Sequence, residues 1–245
     1  MTPPSPDQRS TPTGASTHPL TAELPSGARP THEENAMSSP AFRAPDFKVF
    51  DVNGFQPRMT EIRSRIRPKL EAFATSLGPA IGHTVGGDAF AHVAKHARRT
   101  VNPPDDTWVA FGPDPRGYKK HPHFKVAVSR NSVRFLFEVG PEHADKKRWA
   151  AAWAKNAAKL GPVLGRVKGL AWFKNEHDEE PAAPLAQLKG EQLAALGDEL
   201  LRVRDGQIVL GRAVPAADAA RWTDAQYRAA ALETFRALAP LYRLR

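Results

Sequence analysis

The stretch from His92 to His123 concentrates the side chains of this sequence that could bind or transform a ligand. It holds His92, His96, His121 and His123, with Arg and Lys residues between them. Imidazoles act as acids, bases or metal ligands near neutral pH, whereas guanidinium and ammonium groups bind phosphate and carboxylate. The stretch therefore indicates three kinds of chemistry: acid–base catalysis, metal binding and anion binding.

Anion binding depends on where the cations lie. We expect a helix over residues 89–98, capped by Asp88 and ending in Arg98 and Arg99, and a loop over 112–122 that carries Arg116, Lys119 and Lys120. If the helix end and the loop share one end of a sheet, these five cations converge. Tyr118 could stack on a base or donate to a phosphate. The alternative is a solvated basic surface. The candidate ligand-binding residues are Lys95, Arg98, Arg99, Asn102, Trp108, Arg116, Tyr118 and Lys119.

The histidines are the candidates for acid–base or metal chemistry. On the expected helix, His92 and His96 are four residues apart and share one face, while His121 and His123 alternate in an extended segment and share one side. Neutral imidazoles at such spacings can ligate zinc or iron. The HExxH glutamate is missing and no third-ligand spacing is recognisable, so we predict no metal site and leave the cofactor open.

The two histidines of the expected helix flank its apolar positions, which predicts that both are half-buried and need a partner. Asp105 and Asp106 are the nearest carboxylates in the sequence. A His–Asp pair suits a general base, and it is equally an ordinary structural hydrogen bond. The catalytic candidates are His96 and His123.

The apolar pattern predicts the elements that must position these residues. Residues 47–50 read as an edge strand or a segment leading into the fold. A buried helical stripe then includes Met59, Ile62, Ile66, Leu70, Phe73 and Leu77. We expect Pro68 to kink this helix near Arg65, and Gly78-Pro79 to end it.

Alternating patterns predict strands at 107–111, 123–128 and 133–139, with a hairpin at Arg130-Asn131. A helix over 142–160 should bury Trp149 and Trp153. Further strands at 170–173 and 208–214, a short helix around 190–196 and a last helix capped by Thr223 complete the prediction. Strands in a row with helices outside them favour an α+β fold with a central, largely antiparallel sheet flanked by helices.

Composition sets the limits of the folded part. The first forty residues hold eight prolines and no aromatic residue, so they cannot bury enough apolar surface to offset the entropy of ordering them. We predict a disordered Pro-rich tail over 1–44 and a single domain over 45–245. Met37 is an alternative start.

The overall charge bears on partners. The chain has a net charge of +9, which favours anionic partners without selecting among them. It has no cysteine, which excludes disulfides, cysteine nucleophiles and thiolate metal sites. No apolar run approaches the ~20 residues of a membrane helix, and the first residues lack the order of a signal peptide. We therefore expect a cytoplasmic protein with no membrane association.

Several runs of this sequence resemble the YktB-like family of uncharacterised bacterial proteins. They are HVAKHARRTVNPP at 92–104, DTWVAF at 106–111, RGYK at 116–119 and PHF at 122–124, with further matches at Phe47, Arg58-Met59, Arg67-Pro68 and Glu233-Thr234-Phe235. The resemblance spans about 47–242. It implies a small α+β protein with an antiparallel sheet and packed helices, and no activity that can be carried over. Its members mostly place an apolar residue where this chain has His121, which shifts weight to His92, His96 and His123.

Three function hypotheses follow. The first is a binding domain for an anionic ligand, such as a nucleotide, a phosphorylated metabolite or RNA. The second is a hydrolase or nuclease that uses His96 or His123 as an acid or base, with or without a metal. The third is a protein whose basic face docks an acidic protein partner. The oligomeric state is left open.

Overall fold

The computed structural model describes residues 39–244. Residues 1–38 of the predicted disordered tail lie outside the described residues. Ala41 and Phe42 precede the predicted domain boundary at residue 45, yet both are fully buried. The Phe42 ring lies 5.9 Å from the ring of Phe73 and 5.8 Å from that of Tyr227. The packed core therefore begins before residue 45.

Helices and strands account for most of the described chain. The helices are α1 (Ala44–Phe47), α2 (Phe55–Glu61), α3 (Arg67–Val85), α4 (Lys146–Gly165), α5 (Gly190–Arg202), α6 (Ala216–Ala219) and α7 (Asp224–Tyr242), with a π-helical turn at Ile62–Ile66 and 3-10 turns at Lys48–Asp51 and Leu185–Gln187. The strands are β1 (Phe90–Val93), β2 (Asp106–Gly112), β3 (His123–Ser129), β4 (Ser132–Val139), β5 (Ala171–Phe173), β6 (Ala183–Pro184) and β7 (Ile208–Pro215).

In the part of the chain that the structure describes, these strands form one sheet in the order β1-β2-β3-β4-β7-β5-β6. Every neighbouring pair is antiparallel. The first four strands follow one another directly, as a meander, and the hairpin at Arg130-Asn131 joins β3 to β4. The predicted α+β fold with a largely antiparallel sheet is confirmed.

The sheet has one face covered by helices. α3 lies against β1 and β2, and α7 lies against β3, β4 and β7. Strand alternation turns Val109, Phe111, Phe124, Val126, Phe135 and Phe137 towards these helices, and all six are fully buried. Trp149 and Trp153 of α4 stack with ring centroids 5.6 Å apart and belong to the same core, as predicted. Among residues 39–244, no helix is both long enough and apolar enough to cross a membrane.

The predicted stripe from Met59 to Leu77 is buried, but Gly78-Pro79 does not end the helix. α3 continues through Pro79 to Val85, where Gly86 adopts a left-handed φ of 74°. Ile81 and Val85 extend the apolar stripe and are buried, and their burial offsets the hydrogen bond that Pro79 cannot make. The π-helical turn precedes Pro68, and such turns absorb the clash that a proline ring makes with the preceding turn.

One predicted element is wrong, and one of two alternatives is excluded elsewhere. Residues 47–50 are helical and lead into α2, so they are not an edge strand. The predicted helix over 89–98 is instead the edge strand β1, followed by a turn. Val93 pairs with Val109 of β2, and the amide of Ala94 donates to the carbonyl of Trp108 at 2.9 Å. The free edge of β2 satisfies the backbone of this segment better than an isolated, capped helix would, because helices of that length are marginal alone.

Candidate functional site

The second face of the sheet carries charged side chains where a solvated face or an apolar core is usual. Alternation in β2, β3 and β4 places on it Asp106, Trp108, His123, Lys125, Arg134 and Glu138. The segment between β5 and β6 covers this face, since it contributes Glu176 and His177 to the same cluster. Lys125 and Arg134 have no exposed surface, and Asp106, His123 and Glu138 are buried. We call these residues the polar-face cluster.

Lys125 is the centre of one half of the polar-face cluster. Its ammonium lies 3.2 Å from a carboxylate oxygen of Glu138, contacts Glu176, and sits 4.7 Å from the ring centroid of Trp108. Burial opposes its charge, but the two carboxylates outweigh burial and raise the pKa of Lys125 above its ordinary value. Burial also opposes the charge of Glu138, but Lys125 and His123 outweigh it and lower the pKa of Glu138. Lys125 and Glu138 are therefore an ionised pair inside the protein.

His123 and Tyr118 close this half of the cluster. The ring nitrogens of His123 lie 2.9 Å from the carbonyl of His121 and 3.1 Å from the carboxylate of Glu138. The Tyr118 ring packs edge-on against His123 at 4.7 Å, and its hydroxyl accepts a hydrogen bond of 2.8 Å from the Trp108 indole. Burial raises the pKa of Tyr118 to about 12. Tyr118 is therefore a neutral hydroxyl that can still donate its own proton to an acceptor.

The other half of the cluster is an Asp–His–Arg arrangement. His177 Nδ1 lies 3.0 Å from Asp106 Oδ1, and Arg134 donates to Asp106 Oδ2 at 2.7 Å. Burial raises the pKa of Asp106, but the hydrogen bond from His177 and the charge of Arg134 outweigh burial and lower it. The hydrogen bond to Asp106 raises the pKa of His177.

The predicted partners of His92 and His96 are wrong, because there is no helix to carry them. His92 Nε2 lies 3.0 Å from the carbonyl of Asp114, and His96 Nε2 lies 3.0 Å from the hydroxyl of Thr107. Neither of them pairs with Asp105 or Asp106 as expected. Asp106 is instead hydrogen-bonded to His177. His96 has a φ of 50°, which few residues other than glycine adopt. Burial lowers the pKa of His96 from 6.5 to about 4.

The predicted pairing of His121 with His123 is also wrong. His121 lies in a turn, where its amide donates to the Tyr118 carbonyl, and its ring is 3.9 Å from the Asp114 carboxylate. His123 lies in β3 and faces the polar-face cluster. Between residues 39 and 244, no group of three or more His, Asp and Glu side chains is arranged to hold a metal ion.

Two cavities open beside the polar-face cluster. The first, which we call the loop cavity, has a volume of about 590 Å³ and is lined by His92, Lys95, Arg116, Tyr118, Lys119 and Lys120, together with Asp114 and Glu142. The second, the hairpin cavity, has a volume of about 550 Å³ and is lined by Arg58, Arg99, Asp105, Asp106, Arg130, His177 and Glu179, together with Ser129 and Asn131 of the β3–β4 hairpin.

The candidate residues are thus divided between different places. Lys95, Arg116, Tyr118 and Lys119 meet in the loop cavity. Arg99 lines the hairpin cavity, so the five cations do not converge as expected. Arg98 and Asn102 are exposed in the connection between β1 and β2.

Trp108 stands between the two cavities. It bonds to Tyr118 of the loop cavity, and its ring lies 5.8 Å from the ring of His177 in the hairpin cavity.

Sequence reasoning missed Lys125, Arg134, Glu138 and His177, and it placed Glu176 in a solvated loop. A signal for three of them was present. The alternation in 123–128 that predicts a buried face with Phe124, Val126 and Val128 also places His123 and Lys125 on the opposite face. The next strand places Arg134 and Glu138 on that face. Two ionisable residues on the same face of each of two adjacent strands indicate a polar face, although Leu136 lies between Arg134 and Glu138. The covering segment has no such pattern.

The fold and cluster define the class of this protein. It is an α+β protein whose antiparallel sheet has helices on one face and a buried ionised cluster on the other. A sequence model described as "Domain of unknown function (DUF1054)" matches residues 42–242, and the chain belongs to that family.

Curated relatives agree with this assignment. A UPF0637 protein of Macrococcus caseolyticus is 34% identical over 206 residues, which cover 84% of this chain and 100% of the relative. UPF0637 proteins of Bacillus licheniformis and Lysinibacillus sphaericus are 30% and 32% identical, and the matches cover 97% and 92% of their lengths. The resemblance to the YktB-like family is thereby confirmed.

Proposed function

We propose that this protein binds a small anionic ligand, a nucleotide or a phosphorylated metabolite, in the loop cavity. The observation that supports the proposal is the gathering of Lys95, Arg116, Lys119 and Lys120 around one cavity with Tyr118 in its wall. A volume of about 590 Å³ is within the range of sites for small molecules. A cytoplasmic location, inferred from the sequence, belongs to the same proposal.

The charge balance of the cavity favours an anion. Arg116 lies 3.4 Å from Asp114, and Lys119 lies 3.2 Å from Glu142. Lys95 and Lys120 are exposed, and neither forms an ion pair with a carboxylate of the described residues. The lining therefore has two cations in excess of its carboxylates, and an anion bound there would meet ammonium groups that no carboxylate of the described residues already pairs with.

Tyr118 adds a directional group to this charge. Its hydroxyl is fixed by the Trp108 indole at 2.8 Å, and its ring lies 5.6 Å from that of His92. A neutral phenol whose acceptor position is already occupied offers its proton to a ligand oxygen. The site would thus combine mobile charges with one fixed donor, as small-molecule sites commonly do.

The hydrolase alternative has less support from His96 and His123. Both ring nitrogens of His123 contact groups inside the protein, and His96 is held by Thr107. A group that must exchange protons with a substrate has to reach it. We therefore place anion binding before catalysis by these two residues.

The test is a titration with nucleoside mono- and triphosphates, inorganic phosphate and a single-stranded RNA oligonucleotide at low and moderate salt. We expect binding that weakens as salt rises. The double variant Lys95→Ala with Lys120→Ala should lose affinity by at least about tenfold, since each lost charged contact is worth roughly 1.5–3 kcal/mol before screening.

The matched control is Lys155→Ala with Lys159→Ala, which removes the same charge from exposed positions of α4. This control should bind like the unchanged protein. Absence of binding at low salt, or equal weakening in the control and the cavity variant, would contradict the proposal. The second result would mean that overall charge and not the cavity attracts the ligand.

A further inference from the structure

The hairpin cavity is not used by the function proposed above. It is lined by different residues, from α2, the β1–β2 connection, the β3–β4 hairpin and the segment that covers the polar face. We propose that the hairpin cavity is a second, independent anion site, in which the Arg99 guanidinium and the His177 imidazolium bind a phosphate group. The class of ligand is a phosphate ester, free or as part of a polynucleotide.

His177 is held in place from two sides. Its Nδ1 donates to the Asp106 carboxylate, whose oxygens lie 3.0 and 3.1 Å away. Arg134 holds the same carboxylate at 2.7 Å and donates to the carbonyls of Glu176 and Asp178, at 3.0 and 2.9 Å. These carbonyls flank His177 in the chain. One buried guanidinium therefore fixes both the partner of the ring and the backbone that carries it, which is the kind of support that orients a functional imidazole.

The other ring nitrogen is free to bind a ligand. His177 Nε2 lies 3.7 Å from Glu176 Oε1, beyond hydrogen-bond length, and it has no hydrogen-bond partner among residues 39–244. The side chain is 43% exposed at the cavity. The Asp106 hydrogen bond favours the imidazolium, whose Nε2–H is a charged donor. The titratable and charged groups around this ring are Asp106 from β2, Lys125 from β3, Arg134 from β4, Arg99 and His96 from the β1–β2 connection, and Glu176 beside it.

The other charged side chains that line the hairpin cavity already have partners. Arg58 pairs with Asp105 at 3.1 Å, and Arg130 pairs with Asp51 at 2.9 Å. Glu179 accepts hydrogen bonds from the amide and the side chain of Asn131.

Arg99 is exposed and forms no ion pair within the described part of the chain. Arg99 and His177 are therefore the uncommitted donors of this cavity, and a guanidinium with an imidazolium suits a phosphate. A volume of about 550 Å³ leaves room for the rest of an ester.

The experiment measures phosphate binding in the double variant Lys95→Ala with Lys120→Ala, in which binding at the loop cavity should be at least about tenfold weaker. Inorganic phosphate is titrated at about pH 6 and about pH 8.5, on either side of the ordinary histidine range, by calorimetry and by NMR of the histidine ring nitrogens. Arg99→Ala and His177→Asn are added to this background. Asparagine keeps a donor near the position of Nδ1, so the hydrogen bond to Asp106 can still form, and it removes Nε2. The variant therefore tests the ligand contact alone.

We expect phosphate to shift the ring signals of His177 at the lower pH, and affinity to fall about tenfold or more in Arg99→Ala and in His177→Asn. In His177→Asn, phosphate affinity should change with pH only through the second ionisation of phosphate itself. Relative to this variant, the affinity of the background protein should fall as pH rises through the pKa of His177, because the neutral ring has lost its charge. A 5′-mononucleotide and a single-stranded oligonucleotide then distinguish a free ester from a polynucleotide.

Two results would overturn this inference: no phosphate binding in the Lys95→Ala and Lys120→Ala background, or binding there that is indifferent to Arg99→Ala and His177→Asn. The function proposed for the loop cavity fails separately. It fails if Lys95→Ala with Lys120→Ala binds nucleotides and phosphate as the unchanged protein does. In that case binding that depends on Arg99 and His177 would still support the hairpin cavity.

Discussion

Lys125 has no exposed surface, and its ammonium is enclosed by Glu138, Glu176 and the Trp108 ring. Burying two opposite charges costs much of what their attraction returns, so such a pair is weak evidence of stability. Removing one partner is costly, however, because the other charge stays buried without compensation.

We predict that Lys125→Met lowers the free energy of unfolding by about 3–5 kcal/mol, the usual cost of breaking a buried pair. Urea unfolding at neutral pH measures the change. Adding Glu138→Gln should recover part of the loss, since the uncompensated carboxylate is then gone. Lys155→Met on the exposed side of α4 is the control and should change stability by less than about 0.5 kcal/mol. A loss under about 1 kcal/mol for Lys125→Met would show that the cluster is wetter than the structure indicates.

His96 provides a pH prediction at the same scale. Burial lowers its pKa from 6.5 to about 4. Between these two pH values His96 is protonated in the unfolded chain but neutral in the folded protein. The stability contributed by the neutral ring is therefore present above about pH 6.5 and falls as pH is lowered towards about 4. Because the ring is partly exposed, solvent screening reduces this effect, and we expect the free energy of unfolding to fall by on the order of 1–2 kcal/mol over this pH range.

The measurement is urea unfolding at several pH values for the unchanged protein and for His96→Gln. Glutamine keeps a polar group near the position of Nε2 for Thr107, and it does not titrate. The difference in stability between the two proteins should change with pH between about 6.5 and 4. Parallel curves would mean that His96 is as accessible to protons in the folded protein as in the unfolded chain.

At the scale of elements, the region from 89 to 98 shows what local pattern leaves open. Phe90, Val93, Ala94 and Ala97 fit a short helical stripe, yet residues 90–93 form an edge strand on β2. The outcome depended on a free strand edge whose paired residues lie 16 to 22 positions further along the chain, which a short-range pattern does not represent. The strands of the meander were predictable because each has its own alternation of apolar residues.

The connection between β2 and β3 gives a prediction at this scale. A Cβ at Gly112 would lie 2.9 Å from Cβ and 3.2 Å from Cα of Tyr118, so the backbone of the loop must move. We predict that Gly112→Ala lowers stability by about 1–3 kcal/mol, as overpacking does, and shifts tryptophan fluorescence as the Trp108–Tyr118 bond lengthens. Ligand affinity at the loop cavity should fall with it.

Gly87→Ala is the control for this change, since a Cβ there meets nothing within 4 Å and the residue has no positive φ. Equal effects of the two substitutions on fluorescence and stability would contradict the idea that Gly112 sets the position of Tyr118.

At the scale of the whole molecule, the start of the described chain packs against two helices that are distant in sequence, α3 and α7. Phe42 packs against Phe73 of α3 and Tyr227 of α7, and Tyr227 donates to the carbonyl of Ala219 at 2.9 Å. The residues just before the predicted domain boundary therefore complete the core.

We predict that Phe42→Ala lowers the free energy of unfolding by about 3–5 kcal/mol, the usual cost of truncating a buried phenylalanine. Thermal and urea unfolding measure it. Val101→Ala, at a side chain that is 76% exposed, should be neutral within about 0.5 kcal/mol. A small effect of Phe42→Ala would place the start of the stable core near residue 45, where the composition put it.

The sequence by itself determined the α+β class, the meander, the apolar stripe from Met59 to Leu77, the family, and the cap of α7, where the Thr223 hydroxyl accepts from the Gln226 amide. Each of these depends on residues that are close together in the chain. Only the tertiary structure decided which charged groups meet. Asp106 and His177 are 71 residues apart in the chain, and Lys125 and Glu176 are 51 apart. The residue type of an aspartate or a histidine does not indicate which group it will pair with. The pairing is decided by strand register and by the segment that covers the sheet. The stretch from His92 to His123 consequently supplies parts of two separate cavities.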